Sequence, residues 1–144
     1  MDKKKVLFVC IHNSARSQMA EALLNEMAPD HFQAESAGIE PGSLNQIVIN
    51  AMSDIGIDIS SNKTKSVQNL IDERRVYDYI ITVCDDASAQ RCPVFPGEGK
   101  RMHMGFEDPS SFNGNDDKKL EKTIVVRDQI KIKLQQWVQE HKND

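Results

Sequence analysis

The run Val6-Leu7-Phe8-Val9-Cys10 is apolar without interruption and stops at the polar turn His12-Asn13-Ser14. A short apolar stretch with no alternation suits a strand buried on both faces, as in the centre of a parallel sheet. Beyond the turn, Ala20, Leu23, Leu24 and Met27 recur at the spacing of one helix face, and Pro29 ends that helix after Ala28. A buried strand followed at once by an amphipathic helix commits the chain to a sheet covered by helices.

The alternation continues. Phe32 to Ala37 reads as a second strand, closed by Gly38. Leu44, Ile47, Val48, Ala51, Met52 and Ile55 form a helical stripe, with Ser43 as N-cap and Gly56 as the residue just past its end. Ser66 to Arg75 predicts a short third helix, and Tyr77 to Val83 a strand that ends at Cys84. Pro93, Pro96, Gly97 and Gly99 predict an irregular loop over Asp85 to Gly99, and Arg101 to Met104 a short strand. From Asp116 a long last helix carries Leu120, Ile124, Ile130, Leu134, Trp137 and Val138 on one face, Trp137 as core. The order β-α-β-α-α-β-loop-β-α predicts an α/β fold: one three-layer domain over residues 1–144, with an open, mostly parallel four-stranded sheet and helices on both faces. Ligands in such folds bind beyond the carboxyl ends of strands, where Cys10 and Cys84 both stand.

With 18 basic against 22 acidic side chains the formal net charge is −4, which argues against nucleic-acid or anionic-membrane partners. No apolar run approaches the roughly 18–20 residues of a membrane span, and Val6 to Ile11 is too short for a signal-peptide core. The expectation is a soluble, cytoplasmic protein, and the composition suits a monomer. Cys10, Cys84 and Cys92 are an odd number of cysteines, so a disulfide framework is not expected in that compartment. Buried thiols, metal ligands or redox chemistry remain. Scattered histidines (His12, His31, His103, His141) and the lack of a C-x2-C pair count against a metal.

The chemistry concentrates where the first strand meets the first helix: Cys10-Ile11-His12-Asn13-Ser14-Ala15-Arg16-Ser17. A loop wound round a helix start points backbone N–H groups inward, and the helix dipole adds positive potential. Arg16 offers a planar fork for two oxygens of a tetrahedral oxyanion. Cys10 beneath that anion is expected to have a lowered pKa and to act as a thiolate nucleophile, with the Ser17 hydroxyl able to donate to it. Asn13 tolerates the positive φ that a tight anion loop tends to need. His12 is expected to face solvent or shape the loop.

This segment resembles the low-molecular-weight tyrosine phosphatase fold, and within it the thioredoxin-coupled arsenate reductases. The likeness continues through Ala34-Glu35-Ser36-Ala37-Gly38, Gly56-Ile57-Asp58-Ile59-Ser60 and Val83-Cys84-Asp85-Asp86-Ala87. It resumes at Cys92-Pro93-Val94-Phe95-Pro96 and Gly105-Phe106-Glu107-Asp108-Pro109. The resemblance implies arsenate held by residues 11–17 and attacked by Cys10, with Asp108 as general acid. It implies that Cys84 then releases arsenite by forming a Cys10–Cys84 disulfide, and that Cys92 converts this to a Cys84–Cys92 disulfide, which thioredoxin reduces. No cofactor is implied, since the thiols supply both electrons. Phosphate and sulfate would compete for the loop. Cys92, in a Pro- and Gly-rich loop, could move toward Cys84, and the neighbouring Arg91 would favour its thiolate.

Asn13, Ser17, Glu21 and Ser36 would support the loop. Asn13, Glu21 and Ser36 match positions that hold potassium in some relatives, but an acidic position there is Lys65 in this chain, so no bound metal is expected and the ammonium would replace the cation. The Cys84–Cys92 interval is about one residue longer than is common, and Ser110-Ser111-Phe112 stands where the phosphatase branch carries tyrosines. Two alternatives remain: a phosphatase hydrolysing phosphate monoesters through a Cys10 phosphoenzyme, and an anion-binding or thiol-sensing protein without turnover.

Overall fold

The computed structural model describes residues 3–93, 95, 97 and 99–144. Met1, Asp2, Val94, Pro96 and Glu98 lie outside the described residues, so the course expected over 85–99 can be followed only in part.

Four strands form one sheet: β1 (Lys4–Cys10), β2 (Phe32–Gly38), β3 (Tyr79–Thr82) and β4 (Lys100–His103). Their order is β2-β1-β3-β4 and every pairing is parallel. The register pairs Cys10 with Gly38 and Val9 with Thr82, so the carboxyl ends of the two central strands lie side by side. Strand alternation divides the core. Val6, Phe8 and Cys10 join the cluster formed with α1 (Arg16–Met27), α2 (Gln46–Ser53) and α5 (Asp116–His141). Leu7 and Val9 face the other way, onto Val67 and Leu70 of α3 (Val67–Asp72). Helices therefore cover both faces, as the unbroken apolar run of β1 demands. Among the described residues no helix is long and apolar enough to cross a membrane.

The first helix ends at Met27 with Ala28 as its cap, two residues short of Pro29. The second starts later than expected. Its cap is Asn45, whose Oδ1 accepts from the Ile47 N–H at 2.9 Å, rather than Ser43. The Asn45 amide also donates to Ser110 Oγ at 3.1 Å. Asp54 closes that helix, and Gly56, at φ +80, carries the turn that follows. Ser66 caps α3, which stops at Asp72, short of the expected Arg75. Strand β3 is shorter than the expected Tyr77 to Val83, although the Asp78 and Val83 N–H groups still bond the Lys5 and Val9 carbonyls at 2.8 and 2.9 Å. Within the expected irregular loop lies a four-residue helix, α4 (Asp86–Ala89). Asp85 caps it through the Ser88 N–H at 2.8 Å. Strand β4 begins one residue earlier than expected.

The last helix starts at Asp116, capped by Asn115. Ile130, Leu134, Trp137 and Val138 are buried as expected, whereas Leu120 and Ile124 are only half-buried. Trp137 packs at 4.8 Å from the Phe32 ring and 5.0 Å from that of Tyr79. Arg127 is an unanticipated buried cation. It donates to the Ala51 carbonyl at 2.8 Å and pairs with Asp54 and Asp128, fastening α5 to α2.

Candidate active site

Residues 11–15 join β1 to α1 in a loop whose carbonyls are tied outward. The carbonyls of Cys10, Ile11, His12 and Ser14 accept from the backbone N–H groups of Ile39, Glu40, Gly42 and Asn45, at 2.7–3.1 Å. With the carbonyls occupied on that side, the N–H groups are free to turn inward over Cys10. Ala15, the residue before α1, gives the helix no side-chain cap, so the helix start adds its unpaired donors and dipole to the same point. Gly38 permits the close approach of the loop to β2, since a Cβ there would lie 2.8 Å from both the Asn13 nitrogen and the Ile11 oxygen.

Asn13 sits at φ 56 and is fully buried. Its amide donates to Ser17 Oγ and Ser36 Oγ, both at 2.9 Å, and Ser36 Oγ donates on to Glu21 Oε1 at 3.0 Å. Asn13 Oδ1 accepts from the Lys65 backbone N–H at 2.9 Å and from Gln18 Nε2 at 3.2 Å. Lys65 therefore supports the loop through its main chain, rather than through the expected contact of its ammonium with Asn13. The ammonium acts on Glu21, whose carboxyl is raised by burial and pulled back by the Lys65 charge. Gln18 was not legible in the sequence. Its further partners, the Lys63 carbonyl and Asn62, are 45 and 44 residues away. His12 is exposed and its Nδ1 bonds the Glu40 carbonyl at 2.8 Å, which shapes the loop.

Asn13→Ala is expected to lower unfolding free energy by about 2–4 kcal/mol, since it orphans buried partners and puts alanine at positive φ. Urea unfolding would measure this. A loss below about 1 kcal/mol would mean that the network does not hold the loop.

Arg16 is almost enclosed, its side chain only 4% exposed. One terminal nitrogen donates to the Phe106 carbonyl at 3.1 Å, and the other lies 3.6 Å from Asp108 Oδ2. Among the described residues its buried Nε has no partner. An unsatisfied guanidinium donor is costly unless a ligand accepts it, so the fork is preset for an oxyanion. Asp108 caps a short 3-10 helix (Pro109–Ser111) through the Ser110 N–H at 2.9 Å and keeps a third of its side chain exposed, at the rim.

Cys10 lies beneath this cradle, 3% exposed. The expected lowering of its pKa is not found. Burial raises the thiol first, Arg16 and the Ile11 N–H pull it down, and the Asp108 charge raises it again. Ser17 Oγ accepts from the Asn13 amide, which leaves its own proton free to donate, and among the described residues no bond from it to Cys10 is present. Cys84 is fully buried in the same core as Cys10. Its thiol is pushed up to about 11, by burial and then by the charge of Cys10, while Arg16 lowers it, so the three groups lie within electrostatic reach. Cys92 is buried in the other cluster, with Leu7, Val9, Ile80 and Phe95. All three cysteines are free thiols. The structure thus brings Cys10, Arg16, Asp108 and Cys84 together and leaves Cys92 across the sheet.

The sequence model of the low molecular weight phosphotyrosine protein phosphatases matches residues 5–144. The chain belongs to that family. An arsenate reductase of Shouchella clausii is 36% identical over 139 residues, covering 96% of this chain and 98% of that protein. A solved arsenate reductase in its phosphate-binding state is 28% identical, with a TM-score of 0.76, covering 95% of this chain and 98% of the other. A thioredoxin-dependent arsenate reductase of Corynebacterium glutamicum is 31% identical, with a TM-score of 0.64, over 95% of this chain and 62% of that one. Family members are thus similar along nearly the whole chain.

Proposed function

We propose that this family member reduces arsenate to arsenite through its three thiols, in the cytoplasm, with thioredoxin or a similar dithiol as reductant. The observation that carries the reading is the burial of a second thiol, Cys84, in the core of the nucleophile Cys10 and within reach of Arg16. Hydrolysis of a phosphate ester needs Cys10, Arg16 and Asp108 and has no use for Cys84. Curated relatives named arsenate reductase, 36–38% identical, support the same reading.

Arsenate would enter the loop of residues 11–17, its oxygens taking the free N–H groups and the unpaired Nε of Arg16. Cys10 Sγ attacks arsenic as its thiol proton passes to the Asp108 carboxylate, which hands it to the oxygen that departs as water. A thiol raised by burial therefore need not surrender its proton to bulk solvent. Cys84 then attacks Cys10 Sγ. The S–S bond forms, the S–As bond breaks, its electron pair stays on arsenic, and the Cys84 proton goes onto an oxygen of the arsenite that leaves. Cys92 attacks Cys84 Sγ, giving a Cys84–Cys92 disulfide, and its proton passes to the departing Cys10 sulfur, which returns as the thiol that began the cycle. Two thiols have been oxidised and arsenic has gained two electrons. The dithiol reductant resets the chain.

Substitution separates this from the hydrolytic alternative. Cys84→Ser and Cys92→Ser should each stop multiple-turnover arsenate reduction while aryl phosphate hydrolysis persists within about twofold, since Cys10, Arg16 and Asp108 are intact. Arsenite assays with both variants check this. Undiminished arsenate turnover in both would refute the relay through Cys84 and Cys92.

A further inference from the structure

Cys92 must reach the reaction from the far side of the sheet. Its thiol packs with Leu7, Val9, Ile80 and Phe95, whereas Cys84 and Cys10 lie in the core on the opposite face. The residue that tends it is not its neighbour Arg91, which is half-exposed and pairs with Glu40. It is Arg101, on the edge strand β4. Arg101 Nη2 donates to the Cys92 carbonyl at 3.0 Å and to the Ala89 carbonyl at 2.9 Å, the last residue of α4. The Cys92 N–H closes the same turn on Ala89 at 3.2 Å. Two residues along β4, on the same side of the strand, His103 bonds Asp86 at 2.8 Å and Thr82 Oγ1 at 2.7 Å. Strand β4 thus fastens both ends of the helix between the two thiols. Asp86 is exposed, so its pair adds little alone, and of the two β4 side chains Arg101 is the one that bonds the main chain at Cys92.

We propose that Arg101 is the positioning residue for Cys92 in the thiol relay: it holds the main chain at Cys92 and sets its charge beside the thiol that must attack Cys84. This rests on the relay reading above. Among the described residues Arg101 is the one charge that acts on the thiol, lowering it against burial; the Pro93 carbonyl accepts the thiol proton at 3.6 Å. When Cys92 swings toward Cys84, the guanidinium can follow the carbonyl it holds, because it is anchored from a strand that need not move.

The test compares Arg101→Met and Arg101→Lys with the parent protein. After mixing with arsenate and no reductant, the Cys84–Cys92 disulfide is followed by acid quench, alkylation and mass spectrometry. Aryl phosphate hydrolysis, which needs neither residue, reports the integrity of the cradle. Losing the charge shifts the thiol upward, and the fraction of thiolate lost is partly offset by the stronger nucleophilicity of the less acidic thiol. Arg101→Met should therefore form the disulfide about three- to fivefold more slowly near about pH 7.5, with hydrolysis unchanged. Arg101→Lys should recover at least half of the rate, and the deficit of Arg101→Met should close as pH rises toward about 10. A parental rate in Arg101→Met, or a deficit equal at every pH and not rescued by lysine, would overturn the assignment. Absence of the disulfide in the parent protein would instead overturn the relay, and the role of Cys92 with it.

Discussion

Cys10→Ser should abolish arsenate reduction, with a loss of roughly four orders of magnitude or more. The hydroxyl is far less acidic than a thiol, and the site that burial makes adverse to a thiolate is more adverse still to an alkoxide. Serine is also no redox donor, so even a trapped ester could not pass electrons to arsenic. The cradle should survive, because the loop rests on Asn13, Ser36 and Gly38 rather than on the thiol. Phosphate binding by calorimetry is therefore expected to stay within a few-fold of the parent protein while arsenite formation vanishes. Arsenite formation above about one per cent of the parental rate would remove Cys10 from its role as nucleophile.

Arg16→Lys should weaken oxyanion binding by about 10- to 100-fold, or about 1.4–2.8 kcal/mol. Among the described residues the buried Nε has no partner, and the two terminal nitrogens are already set by Phe106 and Asp108. A lysine ammonium cannot supply the planar fork, and it would lose the Phe106 anchor that orients it. Because the transition state also presses its charge on this group, kcat should fall together with affinity. An unchanged phosphate dissociation constant in Arg16→Lys would show that the guanidinium is not the clamp.

The local rules that made the site legible were backbone rules. The end of an unbroken apolar strand located Cys10, the helix start located the anion loop, and the tolerance of Asn13 for positive φ agreed with the observed value of 56. What the sequence left hidden depends on tertiary placement. Ser43 was the expected cap, yet Asn45 takes the role and also bonds Ser110, sixty-five residues away in the chain. Arg91 is adjacent to Cys92 in the chain, yet Arg101 is its neighbour in space, because a parallel crossover returns β4 beside β3. The same limit applies to the Cys10 thiol. Proximity to Arg16 suggested a lowered pKa, but burial at the end of the buried strand is the larger effect. The small helix α4 did leave a signal, Asp85 followed three residues later by Ser88, though prolines and glycines downstream outweighed it in the reading of that loop.

Arsenate-dependent oxidation of NADPH by the purified protein, in the presence of thioredoxin and thioredoxin reductase, tests the three-thiol reduction most directly. The expected result is one arsenite formed for each NADPH consumed, with no consumption when Cys92 is replaced by serine. Aryl phosphate hydrolysis through Cys10 without any arsenate-dependent loss of NADPH would contradict it, and would leave the chain a phosphatase.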